Sequence, residues 1–276
     1  MKKTIEQAIF INRIEDYKAG YDRIYFGNEF CQNLIPSLNL LKAVYRFSVE
    51  KKKGFTFVTP FVTEAGLNKL KILLQYLNNC GPAEIVFNDW GVFFMALGQF
   101  KNLNLVAGRL LTKQRRDPRM LKILSNKQKI VTKTEGNKKT IIFPRQCPPE
   151  LFEHYRASVV NVTHFQAFLS KNRVGRVELD NLFWEMNVKV KKGIGVSMYV
   201  PYGYITTTRM CSKLNNSYEP CGKKCKKYFI HRKHKSLPVP FYSIGNTVFY
   251  KLPRPTDEYL HGLGIDRIVY QPKLPF

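Results

Sequence analysis

Residues 55–108 read FTFVTPFVTEAGLNKLKILLQYLNNCGPAEIVFNDWGVFFMALGQFKNLNLVAG. Three short apolar runs, Phe55–Phe61, Glu84–Asp89 and Asn104–Gly108, alternate with two helical patterns. In Glu64–Leu77, Leu67, Leu70, Leu73, Leu74 and Leu77 recur at the spacing that puts them on one side of a helix. Asn78-Asn-Cys80-Gly-Pro ends it, because Gly and Pro stop helices. Gly91–Phe100 reads as a second, shorter helix. The strand runs are near-continuously apolar, as expected of strands covered on both faces. Strand–helix alternation of this kind predicts an α/β fold with a parallel sheet.

The pattern extends in both directions. Thr4–Asn12 and Asp22–Gly27 read as strands, and Leu34–Phe47 as a helix. Downstream, Leu111–Asn126 reads as a basic loop followed by a helix. Lys129–Lys133 and Thr140–Phe143 flank Glu135-Gly-Asn-Lys-Lys and predict a β-hairpin. Pro148–Ala157 suits a short helix, Val159–Val162 and Arg176–Asp180 suit strands, and Trp184–Lys192 suits helix or loop. Val196–Thr208 reads as one long strand, Phe241–Tyr250 as a hairpin turning at Gly245-Asn246, and Asp266–Tyr270 as a last strand. At 276 residues this predicts one domain, 1–276: an incomplete (β/α) TIM-like barrel with an inserted cysteine loop at 209–236.

Hydrophobic residues make up 44% of the chain, enough for a sizeable core and against global disorder. The formal net charge is +25, a field that attracts polyanions such as RNA. The lysines are spread along the whole chain, which also fits a surface that simply uses Lys for solubility. The apolar part of the N-terminal segment is too short and too polar for a secretory signal. No window approaches the roughly 20 apolar residues of a transmembrane helix. The expectation is a cytoplasmic protein with no membrane span, in which six cysteines are free, metal-binding or catalytic rather than disulfide-bonded.

Three of those cysteines, Cys211, Cys221 and Cys225, fall within fifteen residues. The spacing is not that of a zinc ribbon with two C-x2-C knuckles, and a four-thiolate set needs one more ligand. Cys31, Cys80 and Cys147 are the candidates. Cys31 lies just past a strand, on the face where parallel α/β folds keep their sites. Thiolates suit both zinc and iron–sulfur, and spacing alone does not separate them. Lys223, Lys224, Lys226 and Lys227 bracket Cys225, and their charge is expected to lower the thiol pKa values.

Four segments carry a resemblance: Asp22-Arg-Ile-Tyr-Phe-Gly-Asn-Glu-Phe-Cys31, Glu84-Ile-Val-Phe-Asn-Asp-Trp-Gly91, Leu105-Val-Ala-Gly-Arg-Leu110, and the strand-plus-cysteine run through Cys225. In order and separation they resemble the U-thirty-two peptidase (collagenase-like) family, and within it the short UbiV-type members. The resemblance implies an incomplete (β/α) barrel with a 4Fe–4S cluster held by Cys31, Cys211, Cys221 and Cys225. It implies a part in oxygen-independent hydroxylation, alongside a second family member of the UbiU type. Relatives hydroxylate RNA bases, with prephenate as the proposed oxygen source. The cysteine spacing, the basic loop after Cys225 and the tail Pro253–Phe276 depart from the family pattern, so the substrate does not carry over.

Asp89 ends a strand on the presumed active face, where it could orient substrate or cap the following helix. Arg109 follows a strand and could clamp a carboxylate or form a surface ion pair. Glu178 would point into a barrel and need a partner, for which Arg109 is available. Tyr202 and Tyr204 read as core or rim aromatics, and His231 and His234 as part of a solvated, anion-binding face. The chain has no Gly-x-Ser-x-Gly and no His-Glu-x-x-His, so peptidase activity is not expected.

Overall fold

The computed structural model of the chain describes residues 4–124, 131–142, 147–209, 211, 221–226, 229–233 and 237–274. Its strands are β1 (Glu6–Ile11), β2 (Arg23–Gly27), β3 (Gly54–Val58), β4 (Ala83–Phe87), β5 (Leu103–Ala107), β6 (Val131–Glu135), β7 (Lys138–Ile142), β8 (Val174–Asp180), β9 (Gly195–Val200), β10 (Tyr202–Thr207), β11 (Ile230–Arg232), β12 (Phe241–Ile244), β13 (Thr247–Lys251) and β14 (Arg267–Tyr270). Its helices are α1 (Leu38–Glu50), α2 (Glu64–Cys80), α3 (Trp90–Gln99), α4 (Leu121–Leu124), α5 (Pro149–Arg156), α6 (Thr163–Lys171) and α7 (Asp257–Gly262).

Eight strands pair in parallel in the order β1-β14-β9-β8-β5-β4-β3-β2 and close into a barrel, the TIM-like α/β architecture that the alternation predicts. The ring of strands is complete. What is incomplete is the helical layer: β1 leads to β2 through a short 3-10 turn, and β8 leads to β9 with no α-helix. Side chains alternate as a barrel requires. Ile9, Ile24, Phe57, Ile85, Leu105, Leu179, Met198 and Ile268 face outward into the main core. Ala8, Phe10, Tyr25, Val58, Val86, Val106, Tyr199 and Val269 fill the interior. Gly27, at the end of β2, has φ +134, and a Cβ there would stand 2.1 Å from the Val58 carbonyl oxygen, so only glycine fits.

Two expected strands differ. Val196–Thr208 is two strands: β9 belongs to the barrel, and after Pro201, which has no N–H to continue a ladder, β10 leaves for a separate antiparallel sheet, β10-β13-β12-β11. Val159–Val162 is not a strand. Val159–Asn161 is a 3-10 turn leading into α6, and Ser158 accepts from the Val160 N–H in place of a ladder partner. The tail residues Asp257–Gly262 and Arg267–Tyr270 supply a helix and the strand that closes the barrel between β1 and β9. The predicted hairpins are β6–β7 and β12–β13, the second turning at Gly245-Asn246.

Arginine–carboxylate groups occupy both ends of the barrel. At the N-terminal end Arg267 meets Glu6 at 2.6 Å and Glu84 at 2.6 and 3.0 Å, and Arg23 meets Glu6 at 2.7 Å. Arg267 also donates to the Tyr25 hydroxyl at 2.9 Å.

Candidate metal centre

At the C-terminal end of the barrel, five chain segments converge on Arg109, which is fully buried just past β5. Its Nε and Nη2 donate to the two oxygens of Glu29 at 2.8 and 2.5 Å. Its Nη1 donates to Asp180 at 2.7 Å and to the Tyr202 carbonyl at 3.0 Å, and Nη2 reaches Gln271 at 3.4 Å. The guanidinium also lies 3.9 Å from the centre of the Tyr199 ring. Burial opposes the charge, but Glu29 and Asp180 outweigh it and raise the Arg109 pKa above its ordinary value. Arg116 completes the group with Nε 2.8 Å from the second Asp180 oxygen. Arg109 is therefore neither a surface ion pair nor a free clamp for a substrate carboxylate.

Glu178 points into the barrel as expected, but its hydrogen-bond partner is Tyr199, whose hydroxyl donates at 2.9 Å. Asp180, one inward position further along β8, takes Arg109 instead. Among the described residues Glu178 Oε1 has no hydrogen-bond partner. Burial, reinforced by the charge of Glu29, pushes the Glu178 carboxyl from 4.5 up to about 8. The native state thus keeps a proton that the unfolded chain releases above 4.5, so this group's contribution to stability falls as pH rises from 4.5 to 8. Glu178→Gln is expected to remove that slope. Urea midpoints at pH 5 and pH 8 should show the variant gaining on the native protein at the higher pH; parallel behaviour would contradict the buried, protonated carboxyl.

Above this buried layer the segment Asn28–Cys31 is folded by one side chain. Asn28 Oδ1 accepts from the N–H groups of Phe30 at 3.0 Å and Cys31 at 2.8 Å. Phe30 is fully buried, edge-on to Tyr204 at 5.1–5.3 Å together with Phe249. It pins the Cys31 loop to the β10–β13 sheet. Gln32 Oε1 ties the same loop to the β3–α2 connection by accepting from the Thr63 N–H at 2.8 Å and hydroxyl at 3.0 Å. From β10 the chain runs to Arg209 and Cys211, and Cys221 and Cys225 precede β11.

These segments enclose a cavity of about 80 Å³ whose lining includes Cys31, Cys211, Cys221 and Cys225 together. Cys80 and Cys147 are not part of it. Most of the expected 209–236 loop between these cysteines, and His234, lie outside the described residues. Burial pushes the Cys31 thiol up to about 11, and the other three thiols add to the shift. Cys225 is likewise raised, first by burial and then by Cys211 and Cys221. This corrects the expectation that the neighbouring lysines lower these values: desolvation wins, while Lys223 and Lys226 remain exposed. Among the described residues no three His, Cys, Asp or Glu side chains form a group that could hold a metal ion.

An open groove of about 550 Å³ adjoins the cavity and shares Phe61 and Arg209 with it. Asp89, Trp90, Lys113 and Arg116 also line the groove. Asp89 caps α3, with Oδ1 accepting from the Gly91 N–H at 2.7 Å and the Val92 N–H at 3.3 Å, while Arg209 stands 3.9 Å from Oδ2. Tyr204 is a core aromatic under Arg116, as expected, and His231 stacks on Tyr242 at the edge of the sheet. Glu29 and Asp180 escaped the sequence reading; Glu29 lies inside the Asp22–Cys31 segment, but its partner is 80 residues away.

No family model matches the chain. No curated protein matches it. Among solved structures it is similar to the U32 peptidase Mk0906, with a TM-score of 0.48 and 8% identity over 99% of this chain and 94% of that one. It is also similar to a glycoside hydrolase family 18 N-acetylglucosaminidase from Paenibacillus barengoltzii, with a TM-score of 0.35 and 10% identity over 97% of this chain and 94% of that one. At such identities neither likeness says what this chain does. No helix among the described residues is long and apolar enough to cross a membrane.

Proposed function

We propose that the chain binds a 4Fe–4S cluster through Cys31, Cys211, Cys221 and Cys225 and acts as a subunit of an oxygen-independent hydroxylation system. The observation that carries the reading is the meeting of four cysteines, drawn from segments up to 194 positions apart, in the lining of one cavity. A four-thiolate donor set suits iron–sulfur or zinc. A single zinc ion at about 2.3 Å from each sulfur would need thiolates within about 4 Å of one another. The thiols share the lining of one cavity, and the choice of a cluster over zinc rests on the resemblance of the four sequence segments. When bound, a cluster supplies one-electron transfer. Cys31, Cys211, Cys221 and Cys225 would hold it, and the adjoining groove is the substrate site that this reading assigns. The hydroxylation role and a UbiU-type partner rest on the resemblance of the four sequence segments.

Purification without oxygen, followed by a visible spectrum and iron and sulfide counts, tests the reading. About four irons per chain are expected, with a marked loss in Cys221→Ala. Zinc in place of iron, or no metal in either protein, would overturn it and leave a basic barrel to be assayed for salt-sensitive RNA binding.

A further inference from the structure

We infer that Asn246 is the positioning residue that holds the arm of Cys31 against the arm of Cys211. It occupies the second position of the two-residue turn between β12 and β13, remote in sequence from all four cysteines. Its side-chain amide donates to the Phe30 carbonyl at 2.7 Å and to the Thr208 carbonyl at 2.5 Å. Phe30 immediately precedes Cys31, and Thr208 stands three residues before Cys211. One planar NH2 group thus bridges the two arms that carry the ligands. The Thr208 N–H donates back to the Asn246 carbonyl at 3.0 Å, and the Thr247 hydroxyl donates to Asn246 Oδ1 at 3.2 Å. Both carbonyl partners need a donor and the hydroxyl supplies one to Oδ1, so the network fixes which way the amide faces. Asn246 also lines the cavity itself.

A turn alone does not require this residue. Gly245 already supplies the positive φ, +55, and Asp or Gly would serve a hairpin turn as well as Asn. What only an amide at this position provides is two donors aimed at two carbonyls from different arms. Without them the Cys31 loop keeps its apolar contact from Phe30 to Tyr204 on β10, and β10 keeps its ladder to β13, but the hydrogen-bonded bridge from the Phe30 carbonyl to the Thr208 carbonyl is lost.

The inference rests on the four-cysteine reading, and the test separates the two. Native protein, Asn246→Asp and Asn246→Gly are compared after anaerobic reconstitution. Asp keeps the shape and the turn preference but turns an acceptor toward two carbonyls; Gly keeps the turn and removes the side chain. Iron release to a chelator is expected to be about tenfold faster or more in both variants, because two hydrogen bonds are lost. The electron paramagnetic resonance signal of the reduced cluster is expected to shift or broaden, while the metal-free proteins lose only a modest part of their unfolding temperature. If the native protein takes up no iron, the four-cysteine reading fails. If it takes up iron and both variants release it at the native rate with an unchanged signal, the role of Asn246 is refuted. If the metal-free variants are themselves strongly destabilised, the residue is a general structural one and the inference is likewise refuted.

Discussion

Arg109→Met is expected to cost about 3–5 kcal/mol of folding free energy, the typical penalty for stranding buried charges. The substitution removes the one cation that, among the described residues, pairs with both Glu29 and Asp180, each fully out of solvent. Arg116 still reaches Asp180, but among the described residues no other cation pairs with Glu29. Against a total stability of about 5–15 kcal/mol, such a loss shows plainly in a urea midpoint. The charge argument has its own control. Arg109→Met combined with Glu29→Gln should recover part of the loss, because the stranded carboxylate is then neutral. A single variant within about 1 kcal/mol of native would mean that the network contributes little.

Phe30→Ala is expected to be nearly as damaging, at about 3–5 kcal/mol for a large side chain removed from a packed site. Its consequence is also local. Phe30 joins the Cys31 loop to Tyr204 on β10 and Phe249 on β13, so the loop loses its apolar anchor to the sheet. Amide hydrogen exchange should accelerate at residues 28–34 beyond the general loss of protection, and Phe30→Leu should restore most of it. Uniform acceleration throughout the barrel, with no excess at the loop, would contradict the anchoring role.

The barrel was legible because its outward positions bury against helices and its inward ones against each other, leaving strands apolar on both faces. Phe55–Phe61 and Glu84–Asp89 carry that signal without ambiguity. Val159–Val162 misled for a local reason: β-branched residues read as strand, yet they form a turn ahead of α6. The helix itself left a trace in Phe165, Phe168 and Leu169, spaced by three and four. Pro201 was the available sign that Val196–Thr208 could not be one barrel strand. The site was less legible. Cys31 could be placed at a strand end, but nothing in local sequence says that Arg109 would choose Glu29 and Asp180 over Glu178. That choice depends on the register between β5 and β8, which shifts between Leu105 and Val106.

The position of β14 bears on how the molecule is made. The barrel's last piece of wall follows every other strand of the ring in the chain, and it must slot between β1 and β9. Until residues 267–270 emerge, the nascent chain carries two unpaired strand borders, each a template for unwanted pairing. Contacts spanning some 260 positions also make closure slow. Anything inserted above the barrel mouth therefore meets its finished seat only after β14 has joined the ring.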